Sequence, residues 1–349
     1  MRLDNPIHNH KFKNFVDITT YSEVKNEYKN NRKISLKSLE KHFVNKDYSS
    51  FEKELKKIIF ETEKDIKITV SEKKYLDFFF LKLKKYFNFY KDYNVNSKKI
   101  KNVIFDDLYK YGYHITNIDT KKIFNSEIKK KYEILKNKKD WTPPPGTHDR
   151  WIELSKKTTK NIDRIFRKAG LIKASEAYLS KKLRVTRVRL TVHRPTDKAW
   201  RQFLYDCKKI TRHTGIHIDP LEGVTKSMIY LNEVGLENGP TQYLPKSNRF
   251  TYPPLQNLFA RTIVAGSRCH NKTSRRVIFR LPKQLRITTD FGRLIKDNSP
   301  LAKYLDKKMV NFTSDKGNTL IFDPGAGIHN GAIVKKGERI ALMVVIDSI

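Results

Sequence analysis

From residue 183 onward, the apolar residues fall into short β-rich runs at 185–192, 227–234, 262–264, 277–281, 319–322 and 340–346. Turn formers separate them, notably Glu237-Asn238-Gly239-Pro240, Asp315-Lys316-Gly317-Asn318 and Lys336-Gly337. Runs of four to eight residues rich in Val, Ile, Thr and aromatics read as strands. No regular alternation with helices is present, so the pattern selects an antiparallel barrel or sandwich over a parallel sheet.

Residues 1–140 have a different texture, with apolar residues returning every three or four positions, and the whole region reads as helical. Ser49 with Glu52 has the spacing of a capping box ahead of Phe51, Leu55, Ile59 and Phe60. The segment 71–93 carries aromatics and leucines on more than one stripe, which suits a helix packed against several neighbours. Lysines interleaved with aromatics could also stack on single-stranded nucleic acid, but helical spacing favours a core. The run Thr142-Pro143-Pro144-Pro145-Gly146 cannot continue a helix, because proline lacks the amide donor. It marks the expected boundary between a Lys-rich helical region, 1–140, and a second unit, 141–349. That second unit opens with one more helical stretch, about 151–179. The chain is therefore expected to be α+β.

With 38% hydrophobic residues the chain can bury a core despite 31% charged residues. Its 72 Lys and Arg against 37 Asp and Glu give a formal charge of +35, which attracts anionic metabolites or polyanions. The same bias accompanies abundant Lys, Asn and Ile throughout, so a compositional origin competes with a functional one. Cys207 and Cys269 form no close CxxC pair, so neither a cysteine zinc site nor a disulfide framework is suggested, and a reducing cytoplasm is the expected home. No segment has the length and apolarity of a membrane span or signal core; the most hydrophobic stretch, 78–81, lies between Asp77 and Lys82. A soluble, non-exported protein is expected.

His217 and Asp219 stand two apart in Thr214-Gly215-Ile216-His217-Ile218-Asp219, so in an extended segment both side chains point the same way. One imidazole and one carboxylate can then reach a single ion. His329 follows an apolar strand and the bend Asp323-Pro324-Gly325-Ala326-Gly327, and it is the best third ligand. Two histidines and a carboxylate on one face of an octahedral ion leave three positions open, the arrangement of non-haem ferrous oxygenases. Ten residues on, Arg339 opens the last apolar strand, where a guanidinium is costly unless it meets an anion such as a carboxylate.

In order and spacing, His217-Ile218-Asp219, the segment Tyr230 to Val234, the turn Glu237-Asn238-Gly239-Pro240, then His329 and Arg339 resemble the phytanoyl-CoA dioxygenase family of iron and 2-oxoglutarate oxygenases. The resemblance covers roughly residues 183–349. It implies a double-stranded β-helix, also called a jelly roll or cupin-like fold, at about 183–349. It further implies that His217, Asp219 and His329 bind Fe(II), and that Arg339 binds the distal carboxylate of the co-substrate 2-oxoglutarate, with O2 as the other co-substrate. Where the family usually has Pro-Gly-Ser-His, this chain has Pro245-Lys246-Ser247-Asn248, which bears on loop geometry. Many such enzymes carry a hydroxyl two residues beyond the arginine; Ala341 stands here, so Tyr230 or Thr241 would have to help hold the co-substrate. Retention of Asp219 implies hydroxylation over halogenation, with release of succinate and CO2.

The 110 positions between Asp219 and His329 exceed what the intervening strands need, so an insertion is expected within 248–315. It carries Arg249, Arg261, Arg268, Arg275, Arg276 and Arg280, a density suited to an anionic small-molecule substrate or to a merely solvated basic face. His148, His193, His213 and His270 improve on the triad at no spacing and read as surface or packing residues. Two other function classes compete: a nucleic-acid-binding protein or nucleic-acid-modifying oxygenase, motivated by the charge but lacking a recognition motif, and a non-catalytic jelly-roll module, against which the intact ligand set argues.

Overall fold

The computed structural model describes residues 34–60, 68–92, 100–137, 151–195, 212–219, 223–249, 254–267, 277–278, 280–286, 292, 295 and 297–348. Three helices come first: α1 (Lys37–Val44), α2 (Tyr48–Phe60) and α3 (Val70–Asp92). α4 (Val103–Tyr111), β1 (Tyr113–Thr116), α5 (Ser126–Lys136), β2 (Trp151–Glu153), α6 (Lys156–Lys168) and α7 (Leu171–Leu179) follow. The strands β3 (Leu183–His193), β4 (Thr225–Tyr230) and β5 (Thr241–Tyr243) precede α8 (Pro254–Ser267) and α9 (Pro300–Lys308). The chain ends in β6 (Val310–Phe312), β7 (Thr319–Phe322), β8 (His329–Gly331) and β9 (Arg339–Ser348).

Two antiparallel sheets result, one ordered β1-β7-β4-β9-β3-β2 and the other β6-β5-β8. An isolated bridge between His217 and His329 lays a further extended segment beside β8. Strand alternation sorts the large sheet's residues by face. Val188, Leu190, Val192, Ile229, Ile321, Leu342, Val344 and Ile346 point outward, into a core shared with Phe105, Leu108, Ile128, Ile162, Phe166 and Ile172 of α4–α7. Tyr230, Leu320, Phe322 and Ala341 point inward, where they meet Tyr243 and Phe312 of the small sheet.

Several local expectations give way to tertiary contacts. The region before residue 140 is not wholly helical: Gly112 turns the chain at φ 88, and β1 then pairs with β7, Tyr113 opposite Phe322. Trp151 begins a strand rather than a helix, because it pairs with Thr191 at the sheet edge. The run 262–264 lies inside α8, and residues 277, 278 and 280 are helical as well. β-Branched residues are tolerated there because packing outweighs local propensity, and the Thr262 hydroxyl donates to the Leu258 carbonyl one turn back at 2.7 Å. α2 starts one residue before Ser49; the carboxylate of Asp47 accepts from the Ser50 amide, and Glu52 pairs with Lys56. Phe51, Leu55 and Ile59 are buried as expected, whereas Phe60 is exposed.

The proline run lies outside the described residues. α1–α3 share a core with α8: Leu39, Phe51, Leu55, Phe79, Leu83 and Phe87 surround Leu255, Leu258, Phe259 and Ile263. Phe79, Phe80 and Phe87 of the segment 71–93 are thus spent on packing, whereas Phe78 is exposed. No described helix is long and apolar enough to cross a membrane.

Candidate metal centre

His217 and His329 are fixed to each other through the backbone, with His217 N donating to His329 O at 3.0 Å and His329 N to His217 O at 2.9 Å. Their rings lie 4.2 Å apart. Each Nδ1 sits against a carbonyl, Gly215 O at 2.8 Å and Gly327 O at 2.9 Å. A carbonyl only accepts, so Nδ1 must carry the proton and Nε2 presents its lone pair, the tautomer a metal requires. Both Nε2 atoms face one carboxylate oxygen: Asp219 Oδ1 is 3.2 Å from His217 Nε2 and 3.9 Å from His329 Nε2. One donor atom from each of the three residues lies within 4.8 Å of the other two, and all three residues are buried.

The bend ahead of His329 is built by Asp323. Its Oδ1 accepts from the amides of Gly325 and Ala326, each at 3.0 Å, and Tyr178 donates to its Oδ2 at 2.8 Å. Gly327 allows the Tyr243 ring against the backbone; a Cβ there would overlap the Tyr243 hydroxyl. Asp219 is held by its amide on Pro324 O at 2.8 Å and by Arg261, which donates to Asp219 O at 3.1 Å and to Gly325 O at 2.6 Å. Arg261 therefore braces the ligand loop from within. Arg280 is buried too, beside Glu72 at 3.9 Å. Neither of these insertion arginines faces solvent for a ligand, while the side chains of Arg249, Arg268, Arg275 and Arg276 lie outside the described residues, as do His148 and His270. His213 is buried with Nε2 2.8 Å from Asp306.

Burial opposes the charge on Asp219, but the Lys226 ammonium beside it holds the carboxyl well below the usual range. Burial pushes His329 well below an ordinary histidine, which keeps it a neutral ligand. Lys226 bonds Asp219 Oδ2 directly. Sequence reasoning missed this lysine, although alternation along β4 puts it on the same inward face as Tyr230.

Arg339 is 4% exposed and donates to Gly239 O, while its Nε has no hydrogen-bond partner among the described residues. No carboxylate pairs with it there; burial pulls the guanidinium down, and only Tyr230 offsets this. A Cβ on Gly331 would lie 3.2 Å from Arg339 Nη2, so this glycine, also missed in the sequence, leaves the guanidinium room. Gly331 is two residues beyond His329 on β8, about 7 Å along the strand. The Tyr230 hydroxyl donates to Phe312 O at 3.0 Å and accepts from Thr241 N at 2.8 Å, tying β4 to the small sheet. Thr241 is buried opposite Gly331.

Lys246 adopts φ 68, the left-handed region that the resembled family fills with glycine, and Asn248 Nδ2 reaches back to Leu108 O at 3.0 Å. Side-chain bonds to α4 hold that loop.

No family profile matches this sequence, and neither does any curated protein. Solved structures similar to it include EctD from S. alaskensis with 2-oxoglutarate and 5-hydroxyectoine, at TM-score 0.42 and 13% identity over 74% of this chain and 81% of that one. The α-ketoglutarate-dependent epimerase SnoN from nogalamycin biosynthesis gives TM-score 0.39 and 11% identity over 70% and 82%. HygX from Streptomyces hygroscopicus, with iron bound, gives TM-score 0.38 and 10% identity over 72% and 87%. Likeness at this level leaves residue roles to the chain's own geometry.

Proposed function

We propose that this chain is an Fe(II)- and 2-oxoglutarate-dependent dioxygenase of the phytanoyl-CoA dioxygenase type that hydroxylates a small molecule in the cytoplasm. The observation that carries the reading is a two-histidine, one-carboxylate cluster with a buried guanidinium that meets no carboxylate among the described residues and lies beside Gly331, two residues past His329. Passage of the chain between the two sheets, with β3, β4, β7 and β9 in one and the His217 segment, β5, β6 and β8 in the other, supports reading the domain as a double-stranded β-helix. The core of that domain is residues 183–349, with α8 and α9 in its insertion.

In this reading His217, Asp219 and His329 hold the iron by Nε2, Oδ1 and Nε2. Arg339 takes the distal carboxylate of 2-oxoglutarate in its planar fork, recovering in the bound state the solvation it lost on burial. Thr241, opposite Gly331, and Tyr230, which accepts from the Thr241 amide, would help to hold that end of the co-substrate. The bound iron, 2-oxoglutarate and O2 supply the oxidation, which releases succinate and CO2 and leaves a hydroxyl on the substrate. The buried ligand shell keeps bulk water from the reacting atoms.

An anionic substrate is supported by the inward face of β3. Arg187 and Arg189 share that face with Arg339, since their Cα partners are Val345 and Met343 of β9. Arg189 stacks over Trp151 at 3.9 Å, and its Nε is buried with no hydrogen-bond partner among the described residues. Nucleic acid binding is not favoured.

Anaerobic addition of Fe(II) and 2-oxoglutarate should give their charge-transfer absorption, and admission of air should give succinate. Asp219→Ala and His329→Ala should lose most of the absorption; an unchanged spectrum in either variant refutes the ligand assignment. Arg187→Gln with Arg189→Gln should lose turnover on anionic candidates while keeping the absorption, and equal turnover of charged and neutral analogues would sink the anionic reading.

A further inference from the structure

The two oxygens of Asp219 have different neighbours. Oδ1 faces both imidazole Nε2 atoms, whereas Oδ2 carries the Lys226 ammonium. Lys226 reaches there from the inward face of β4, beside Phe322 of β7 and Val345 of β9. Its side chain is 14% exposed and that of Asp219 12%, so the pair lies where solvent screens weakly. A lysine is a poor companion for a cation site, because its charge repels the incoming ion and engages half of the one anionic ligand.

We propose that Lys226 is a positioning residue that makes metal binding conditional on a dianionic co-ligand. This rests on the iron and 2-oxoglutarate reading of the same site. With the ammonium on Oδ2, only Oδ1 is available to the ion, so Asp219 binds through one oxygen and leaves a coordination position that a two-oxygen carboxylate would occupy.

The two contacts on Asp219 give the coupling. Two neutral imidazoles, one carboxylate and one ammonium sum to zero, so Lys226 adds repulsion to a divalent ion that binds alone. Without the ammonium, Asp219 is free to take the ion through both oxygens and to fill the position that the dianion needs. The lysine therefore weakens the bare metal complex and keeps the ternary one open. By linkage, the factor by which the dianion tightens the metal equals the factor by which the metal tightens the dianion.

The test titrates the full chain with Mn(II), following free ion by electron paramagnetic resonance, with and without 2-oxoglutarate. In the wild-type protein 2-oxoglutarate should tighten Mn(II) strongly. Lys226→Met should bind Mn(II) alone about tenfold more tightly or better, and its gain from 2-oxoglutarate should shrink by a similar factor. Lys226→Gln keeps a donor to Oδ2 without the charge and should bind Mn(II) alone more tightly while keeping the wild-type gain from 2-oxoglutarate, and Lys226→Arg should keep both wild-type properties. A Met variant with wild-type coupling, or with weaker Mn(II) binding, overturns the proposal and leaves the site reading intact. Wild-type protein that binds no Mn(II), or gains nothing from 2-oxoglutarate, overturns both.

Discussion

Arg339 and Asp219 show how differently two buried charges can be settled. Asp219 has Lys226 and two imidazoles beside it, while among the described residues Arg339 donates to the Gly239 carbonyl, meets no carboxylate and has an Nε without a hydrogen-bond partner. A buried cation without a counter-charge costs stability through lost solvation, and an apolar side chain of similar volume removes that cost. Arg339→Met should therefore hold or raise the melting temperature of the metal-free protein. The same change should weaken 2-oxoglutarate binding by about 2–5 kcal/mol, because it removes one side of a desolvated charge pair. Calorimetric melting and titration of the charge-transfer band read the two effects separately. A fall in both, with 2-oxoglutarate binding down by less than tenfold, would mean that the guanidinium is structural.

Among the elements, the junction of α5, β2 and α6 is held by one carboxylate. Glu127 accepts from the Ser155 amide at 2.7 Å, the Ser155 hydroxyl at 2.6 Å and the Thr158 hydroxyl at 2.6 Å, and it pairs with Lys131 at 2.8 Å. Burial opposes its charge, yet the Lys131, Ser155 and Thr158 bonds together bring the carboxyl down to about 2. A folded-state value below the unfolded one means stability present above the unfolded value and lost as pH falls towards the folded one. Wild-type protein should thus lose part of its denaturant stability between about pH 4.5 and pH 2, the window set by the ordinary and the depressed values. Glu127→Gln should be less stable at neutral pH and lose less over that window. An identical pH slope in the variant would remove Glu127 as the cause. Ser155, which caps α6 by accepting from Thr158 N at 3.3 Å, is aligned by the same group, so the start of the helix depends on it.

Across the whole molecule, the N-terminal helices reach the metal centre through α8. Phe51 and Phe79 pack on Phe259, with ring centroids 6.3 and 6.5 Å away, and Arg261 two residues on bonds the Asp219 and Gly325 carbonyls. Phe259→Ala should cost about 3–5 kcal/mol of stability by opening a cavity between the two layers. It should also weaken metal affinity under conditions where the protein stays folded, because the helix that carries Arg261 loses its support. Unchanged Mn(II) binding in a folded Phe259→Ala protein would show that the N-terminal layer does not brace the site.

What the sequence determined by itself was whatever depends on neighbours in the chain. The two-residue spacing of His217 and Asp219, the turns at Gly239, Gly317 and Gly337, and the β-rich runs of β3, β4, β7 and β9 are local, and each is present in the structure. The approach of His329 to that pair was anticipated through a resemblance in order and spacing, and the geometry now gives its means, a two-bond backbone pairing with His217. Only the tertiary structure decided that residues 113–116 are a strand and 262–264 a helix, since β1 needs β7 beside it and α8 needs the aromatics of α3. The insertion arginines show the same limit: Arg261 braces a ligand loop 42 residues away in the chain, a role that composition cannot distinguish from anion binding. Lys226 shows it most directly, because its ordinary place on a strand becomes a charge at the metal centre only once Asp219 is folded against it.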